Sequence, residues 1–365
     1  MIYHWQDKDW ANFRYHQEAI SEIVPAFLEK TVEMEYILEG LDAAEQQEEL
    51  IRSMISEAIA TSGIEGEFIS RQDLMSSIKN RLGMNVIPET INDQRAVAVS
   101  NLLVAVRNSY DKKLTEKDIK QWHGLLFKNS KTIKAGKWRS GSYPMQIISG
   151  AFGKETVHYE APPSYRVPSE MKEFVRWYNA FETGKDPAKA LIKTAIVHLY
   201  FESIHPFEDG NGRIGRAIAE KCLVQSLGKP VLLSLSSIME KGKKEYYVAL
   251  KKAQSSLEIT NWVVYFANVI QQAQTEAIEI VRFSLRKANF FDKYQHQLNG
   301  RELKAVKKMF DAGVKGFEGG MTAKKYMSIN QTSKATATRD LRHLSETGVL
   351  LVQGDGRNVH YVLNI

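Results

Sequence analysis

The run His205-Pro206-Phe207-Glu208-Asp209-Gly210-Asn211-Gly212-Arg213-Ile214-Gly215-Arg216 gathers a base, a carboxylate, two small hinges and two arginines in one short stretch. Apolar residues before it, from Ala190 to Phe201, read as a buried helix. Those after it, from Ile214 to Leu227, read as a second one, stopped by Gly228-Lys229-Pro230. The run therefore joins two helices, with its glycines where the second begins. Backbone N–H groups at a helix start have no partner within the helix, and the helix dipole favours negative charge there. Glycines let that backbone approach a ligand closely, so the turn can cradle phosphate. Asp209 is placed to hold a Mg²⁺ bridging phosphates, and Arg213 and Arg216 to clamp their oxygens. His205, just outside the cradle, can take a proton from an incoming hydroxyl. Gly210-Asn211-Gly212 alone would read as an ordinary turn. The full set is costly to assemble for structure only.

At every defined position the run resembles the Fic signature, His-x-Phe-x-Asp/Glu-Gly-Asn-Gly-Arg-x-x-Arg. The resemblance implies a mainly α fold with a β-hairpin flap, and transfer of AMP from ATP to a hydroxyl side chain of a target protein. It implies His205 as base and Asp209 as the Mg²⁺ ligand between the α- and β-phosphates. It also implies α-phosphate contacts from the backbone of Gly210, Asn211 and Gly212 and from the Asn211 side chain, with Arg213 on the β-phosphate, Arg216 on the γ-phosphate, and Phe207 in the core. Earlier, Thr61-Ser62-Gly63-Ile64-Glu65-Gly66-Glu67 would read alone as a polar turn. Beside the signature it resembles the family's inhibitory pattern, Ser/Thr-x-x-x-Glu-Gly/Asn. That implies an autoinhibitory helix whose Glu65 pairs with the second arginine, Arg216; Glu67 does not fit the spacing. The resemblance covers roughly Ile55 to Leu285.

Composition frames this reading. The chain has 365 residues, 43% hydrophobic and 25% charged, as in ordinary globular proteins of two or three domains. A single cysteine, Cys222, excludes an internal disulfide and fits a reducing compartment. The start of the chain does not read as a secretory signal, and no apolar stretch is long enough to span a bilayer. The expectation is a soluble cytoplasmic protein with no membrane contact.

Helical periodicity is expected over Pro25 to Glu39, Ala43 to Ala60, Ser70 to Arg81, Asp93 to Tyr110 and the helix capped by Thr115. Two β-prone runs, 145–149 and 156–159, flank Phe152-Gly153-Lys154 and read as a hairpin. Its position resembles the Fic flap, which implies target capture by strand pairing at Gln146, Ile147 and Ile148. Arg139 reads equally as a structural or a site residue. Further helices are expected from Pro168 and after Asp186-Pro187. His198 reads as a core histidine. Ser237-Ile238-Met239-Glu240 reads as a capping box. On the helix that follows, Tyr246 resembles the family's adenine-side contact, while Gln254 stands where the family often has Asn. A long helix is expected from Thr260 to about Phe291.

Residues 301–365 hold eleven Lys/Arg against six Asp/Glu, so most of the net +6 sits there. Three helices then two strands resemble a winged helix-turn-helix, with Ser333 to Thr347 as recognition helix showing Lys334, Thr336, Arg339, Arg342 and His343. DNA contact, protein contact and a homodimer all stay open.

The expected organisation is an N-terminal helical region with the inhibitory helix over 1–110, a Fic catalytic core over 111–295 and a winged helix-turn-helix over 296–365. The implied function is protein adenylylation of Tyr, Thr or Ser hydroxyls, including self-modification, restrained by Glu65. The alternatives are removal of AMP, another nucleotidyl or phosphoryl transfer on the same scaffold, or a nucleotide-sensing DNA-binding regulator.

Overall fold

A computed structural model describes residues 3–85, 87–149, 156–184, 186–229 and 231–365. The chain is mainly helical, as its periodicity predicts, and divides into two compact units. One comprises Met1–Tyr36 and Asp42–Ala277; the other comprises Ile37–Leu41 and Ile278–Ile365.

The first unit opens with short 3-10 turns at His4–Gln6 and Gln17–Ile20, followed by α1 (Ile23–Glu39) and α2 (Ala43–Ile64). A capping box starts α2: Asp42 accepts from the Glu45 N–H at 2.8 Å and Glu45 accepts from the Asp42 N–H at 2.9 Å. Next come α3 (Arg71–Arg81), α4 (Gln94–Arg107) and α5 (Glu116–Leu126), with N-caps Ser70, Asp93 and Thr115. The antiparallel pair β1 (Gln146–Ser149) and β2 (Thr156–Glu160) follows. It pairs Gln146 with Glu160 and Ile147 with Tyr159, then shifts register before Ile148. The expected hairpin turn, Phe152-Gly153-Lys154, lies outside the described residues, as do Gly150 and Pro230.

The unit is built around α7 (Pro187–Ile204), which follows α6 (Val167–Ala180). Every residue of α7 from Ala190 to Ile204 is buried, the mark of a helix packed on all sides. One flank (Leu191, Ile192, Ala195, Ile196, Leu199) belongs to a core shared with α9 (Leu235–Lys241), α10 (Lys243–Ala253) and α11 (Thr260–Tyr294). The other (Val197, Tyr200, Phe201, Ile204) packs with α5, α6 and α8 (Asn211–Leu227). A third core joins α2, α3 and α4. Cys222 is buried on α8, and His198 is buried 2.9 Å from the Tyr246 hydroxyl.

Several boundaries differ from expectation: α1 starts at Ile23 rather than Pro25, α4 ends at Arg107 rather than Tyr110, and two more bear on how the site is held. The helix α2 runs past Ala60 to Ile64, because Thr61 and Ile64 are both buried and continue its packed face. The helix expected from Ser237 starts earlier: Ser234 is the N-cap, accepting the Ser237 N–H at 3.1 Å, and Gly242 separates α9 from α10.

In the second unit, α12 (Gly300–Phe310), α13 (Ala323–Asn330) and α14 (Lys334–Glu346) precede the antiparallel pair β3 (Leu350–Gln353) and β4 (His360–Leu363). Val306, Phe310, Tyr326, Leu341, Leu344 and Leu350 form its core. Among the described residues, no helix is long and apolar enough to cross a membrane.

Candidate active site

Between α7 and α8 the chain makes a tight, heavily braced loop. His205 ends α7 in the left-handed region (φ 49°, ψ 60°), and Gly210 begins α8 there too (φ 79°, ψ 7°). A Cβ on Gly210 would lie 2.5 Å from the Phe127 ring, so both its φ and its space require glycine. The Asn211 side chain is spent within the loop: Oδ1 accepts from the Phe207 N–H and Nδ2 donates to the Phe207 carbonyl, both at 2.9 Å. What Asn211 leaves for a ligand is its backbone N–H, one of those at the start of α8. Phe207 is fully buried, stacked on His123 with ring centroids 3.9 Å apart. Burying such a side chain contributes roughly 1.5–3 kcal/mol.

Two braces were not evident from sequence. His123 Nδ1 accepts from the Gly136 N–H at 2.9 Å, so its hydrogen sits on Nε2 and is donated to the Asp209 carbonyl at 3.2 Å. Arg139, ambiguous in sequence, is structural: it donates to the His205 carbonyl at 2.7 Å, the Ile204 carbonyl at 3.2 Å and Ser164 Oγ at 3.0 Å. It satisfies carbonyls at the end of α7 that no helical N–H can reach.

The ring of His205 is 13% exposed. Burial first, and the charge of Arg139 second, push its pKa down to about 4, so the imidazole is neutral at pH 7. A neutral imidazole beside an open cavity can accept a proton. Asp209 has a half-exposed side chain, 3.8 Å from Arg213, and its Oδ1 accepts from the Gly210 N–H at 2.6 Å. Sites that bind Mg²⁺ with phosphates use one or two carboxylates, the remaining oxygens coming from phosphate and water. A single solvent-facing carboxylate beside a helix start fits that donor set.

The two arginines are both engaged. Arg216 is buried and donates through Nε to Thr61 Oγ1 at 2.9 Å and through Nη2 to the Thr61 carbonyl at 3.0 Å and Glu65 Oε1 at 2.7 Å. Burial would raise the Glu65 pKa, but the charge and hydrogen bond of Arg216, with Arg213 and His205, bring it below the ordinary value. Glu65 is thus ionised at neutral pH. Its Oε1 lies over Gly212, where a Cβ would come within 2.3 Å. Arg213 donates through Nη1 to both oxygens of Glu67, at 3.1 and 3.0 Å.

Both carboxylates come from the end of α2. Glu65 is its C-cap, Gly66 follows at φ 80°, and the Glu67 N–H returns to the Ser62 carbonyl at 2.9 Å. This Schellman-type turn puts Glu65 and Glu67 on either side of a left-handed glycine. The helix is anchored by Glu57, which accepts from Ser234 Oγ at 2.7 Å and the Ser236 N–H at 3.0 Å. Lys243 caps its end by donating to the Ile64 carbonyl. The Glu240 carboxylate of α9 lies in the space a Cβ on Gly63 would take.

Residues 113–223 match the Fic/DOC family. That segment contains the loop, both arginines and the strand pair. Residues 3–84, which supply Glu65 and Glu67, match a domain of unknown function, DUF4172. A probable protein adenylyltransferase of Aquifex aeolicus is 32% identical over 96 residues, 26% of this chain and 27% of that one. The protein adenylyltransferase fic-1 of Caenorhabditis elegans is 26% identical over 199 residues, 53% of this chain and 35% of that one. The chain thus spans about a third of the length of these curated relatives. Among solved structures, a Fic family protein of Desulfovibrio desulfuricans superposes with a TM-score of 0.52 at 21% identity, covering 93% of this chain and 96% of that one. Fic-1 of C. elegans does so with a TM-score of 0.52 at 18% identity, covering 74% of each. These likenesses establish the fold.

Around the loop between α7 and α8 lies a cavity of about 420 Å³. Glu65, His205, Gly212, Arg216, Tyr246 and Gln254 line it, with Ile147 and Tyr159 from the strand pair. Tyr246 is buried there, while the neighbouring Tyr247 is partly exposed. Arg213 and Glu67 line a separate cavity of similar size, with Arg95, Phe127 and Lys128. Gln146, on β1, bonds across the pair to Glu160 at 2.8 Å rather than lining the first cavity; of Ile148 only the backbone is described.

The strand pair is held from behind by the N-terminal segment. Trp5 Nε1 donates to the Glu160 carbonyl at 2.7 Å, and the rings of Tyr3 and Tyr159 meet edge to face at 5.0 Å. Tyr159 in turn donates to the Ser203 carbonyl at 2.8 Å, and the His4 N–H donates to the Gln254 carbonyl at 3.0 Å. The aromatic residues Trp5, Trp10, Phe13 and Tyr15 cluster near the start of the sequence, but nothing in their spacing indicates attachment to β2.

Proposed function

We propose that the chain is a protein adenylyltransferase of the Fic type. It transfers AMP from ATP to a Tyr, Thr or Ser hydroxyl of a target protein and of itself, and Glu65 restrains it. The observation that carries this reading is an ionised Glu65 bound to Arg216 inside a cavity that also holds the neutral His205.

In this reading ATP enters the cavity with its base against Tyr246 and its γ-phosphate on Arg216, displacing Glu65. Arg213 releases Glu67 to take the β-phosphate. Backbone N–H groups at Asn211 and Gly212, joined by that of Gly210 once it leaves Asp209 Oδ1, face the charge that develops at the α-phosphate. Asp209 would hold Mg²⁺, which supplies charge neutralisation to the phosphates. A target segment lies along β1 by strand pairing at Gln146, Ile147 and Ile148, with its hydroxyl toward His205. His205 accepts the hydroxyl proton as the oxygen bonds to the α-phosphorus, and pyrophosphate leaves.

In the same reading residues 1–110 form the restraining region, 111–295 the catalytic core and 296–365 a winged helix-turn-helix. A buried, solitary Cys222 agrees with a cytoplasmic setting. The test is incubation of the Glu65→Gly variant with ATP labelled at either the α- or the γ-phosphate. AMP transfer leaves covalent label from the α-position only. Label from the γ-position would instead mean phosphoryl transfer, and no label from either would favour a nucleotide sensor.

A further inference from the structure

One buried carboxylate in the cavity has no place in that scheme. Glu202 lies one turn before His205 on α7, 5% exposed, and lines the same cavity as His205, Glu65 and Arg216. Its Oε2 is 3.8 Å from His205 Nδ1, and its Oε1 has no hydrogen-bond partner among the described residues. It abuts the first turns of α8, where a Cβ on Gly215 would fall 2.4 Å from Oε1. A buried polar atom left unpartnered costs about 1–3 kcal/mol, more if charged, so retention of this carboxyl needs a reason.

His205 supplies one. To serve as base through Nε2, its imidazole must carry its hydrogen on Nδ1, and an acceptor must hold that tautomer. The Glu202 backbone carbonyl is 3.4 Å from Nδ1, a long hydrogen bond. The Glu202 carboxylate is the other acceptor within reach of a small side-chain rotation.

We propose that Glu202 is a positioning residue for the transfer reaction: ionised, it accepts the Nδ1–H of His205 and keeps Nε2 free for the target hydroxyl. The proposal rests on the adenylyltransferase reading above. In the step, the target O–H bond breaks and Nε2–H forms. The oxygen bonds to the α-phosphorus as the bond to pyrophosphate breaks, and the resulting imidazolium donates from Nδ1 to the Glu202 carboxylate. Protonated, Glu202 can donate to Nδ1 instead and favour the tautomer whose Nε2 is already occupied.

The groups facing Glu202 set when it ionises. They are Arg216 on α8, Glu65 at the end of α2, His205 at the end of α7, and Tyr246 and Tyr247 on α10. Burial foremost pushes its pKa up, to about 8; Arg216 opposes this and Glu65 adds to it. Removing Glu65 therefore moves Glu202 toward ionisation, so the restraint acts on the base as well as on Arg216.

The test uses the full chain with ¹⁵N-labelled histidine, the His205 ring signals being assigned by their loss in His205→Ala. In Glu65→Gly, the Nδ1–H tautomer of His205 should gain population as pH rises from 6 to 9. In Glu65→Gly/Glu202→Leu that dependence should vanish, with the buried His198 and His123 signals unchanged as a check of folding. Glu202→Gln keeps the shape and an acceptor oxygen but has no titration. It should lower kcat about 10-fold or more and remove the rising alkaline limb, with KM for ATP unchanged. A tautomer balance that ignores Glu202→Leu overturns the proposal whether or not any transfer is seen. Absence of label from Glu65→Gly itself counts only against the adenylyltransferase reading.

Discussion

Glu67 grips Arg213 with both carboxylate oxygens, at 3.1 and 3.0 Å, two residues beyond the Glu65 that holds Arg216. Each arginine of the loop therefore has its own carboxylate. A charge-assisted hydrogen bond contributes about 1.5–3 kcal/mol, roughly 10- to 150-fold in an equilibrium, of which a glutamine oxygen would keep part. Glu67→Gln should therefore tighten ATP binding about 10-fold in a Glu65→Gly background, and calorimetric titration with ATP measures it. Equal affinity in the two proteins would mean that Arg213 takes no part in holding ATP.

The N-terminal segment should govern target binding. Trp5→Phe removes the hydrogen bond to the Glu160 carbonyl while keeping a ring in the Tyr3, Tyr159 and Ile147 cluster. It should cost about 1 kcal/mol of stability and raise KM for the protein target while KM for ATP stays fixed. Steady-state kinetics on both substrates decide this. A change in the ATP constant alone would show that the segment serves the nucleotide side, through His4 and Gln254.

Stability should peak near pH 6.5. Burial lowers the pKa of His4 and His198 to about 3 and of His123 and His205 to about 4, so below 6.5 the unfolded chain binds protons that the folded chain refuses. Stability then falls as the pH drops. Glu202 and Glu220 are shifted upward from 4.5 to about 8 by burial, so between those values the folded chain keeps protons that the unfolded chain has lost, and above about pH 6.5 this outweighs the histidines, which the unfolded chain no longer protonates. Stability then falls as the pH rises toward 8. Melting temperatures from pH 5 to 8 should trace a dome; a steady rise across that range would mean that the two glutamates ionise in the folded state.

DNA contact, left open by the sequence, would fall on the exposed face of α14. Arg342 pairs with Glu346 and His343 with Glu302, each at 2.8 Å, which leaves Lys334 and Arg339 as the cations without an ion pair among the described residues of that face. If it binds DNA, a gel shift should weaken steeply with salt and vanish in Lys334→Glu/Arg339→Glu. A shift unaffected by that variant would exclude α14 as the contact.

Much of this site could be read from the sequence, because one loop carries it. Gly210 occupies left-handed backbone, the flanking helices are marked by apolar runs, and the resemblance of Thr61 to Gly66 to the family's inhibitory pattern implied Glu65 against Arg216. Glu67 was set aside because it does not fit the spacing of that pattern. The helix ends there, and the turn at Gly66 restores Glu67 to the same side. His123 and Arg139 act through contacts 86 and 66 residues away in sequence, which no local pattern signals. Glu202 is only three residues from His205, but its burial in the cavity is set by the tertiary fold. The cap at Ser234 was missed because Ser237 and Glu240 imitate a capping box one turn later.

The central claim is that His205 performs a transfer that Glu65 holds in check. Covalent label from α-³²P-ATP, measured at equal ATP in the unaltered chain, Glu65→Gly and Glu65→Gly/His205→Ala, tests both halves. The unaltered chain should be nearly silent and Glu65→Gly strongly labelled. The double variant should lose about 10²- to 10⁴-fold of that gain, the usual contribution of a general base. Labelling that survives His205→Ala undiminished, or a Glu65→Gly variant no more active than the unaltered chain, would contradict the account.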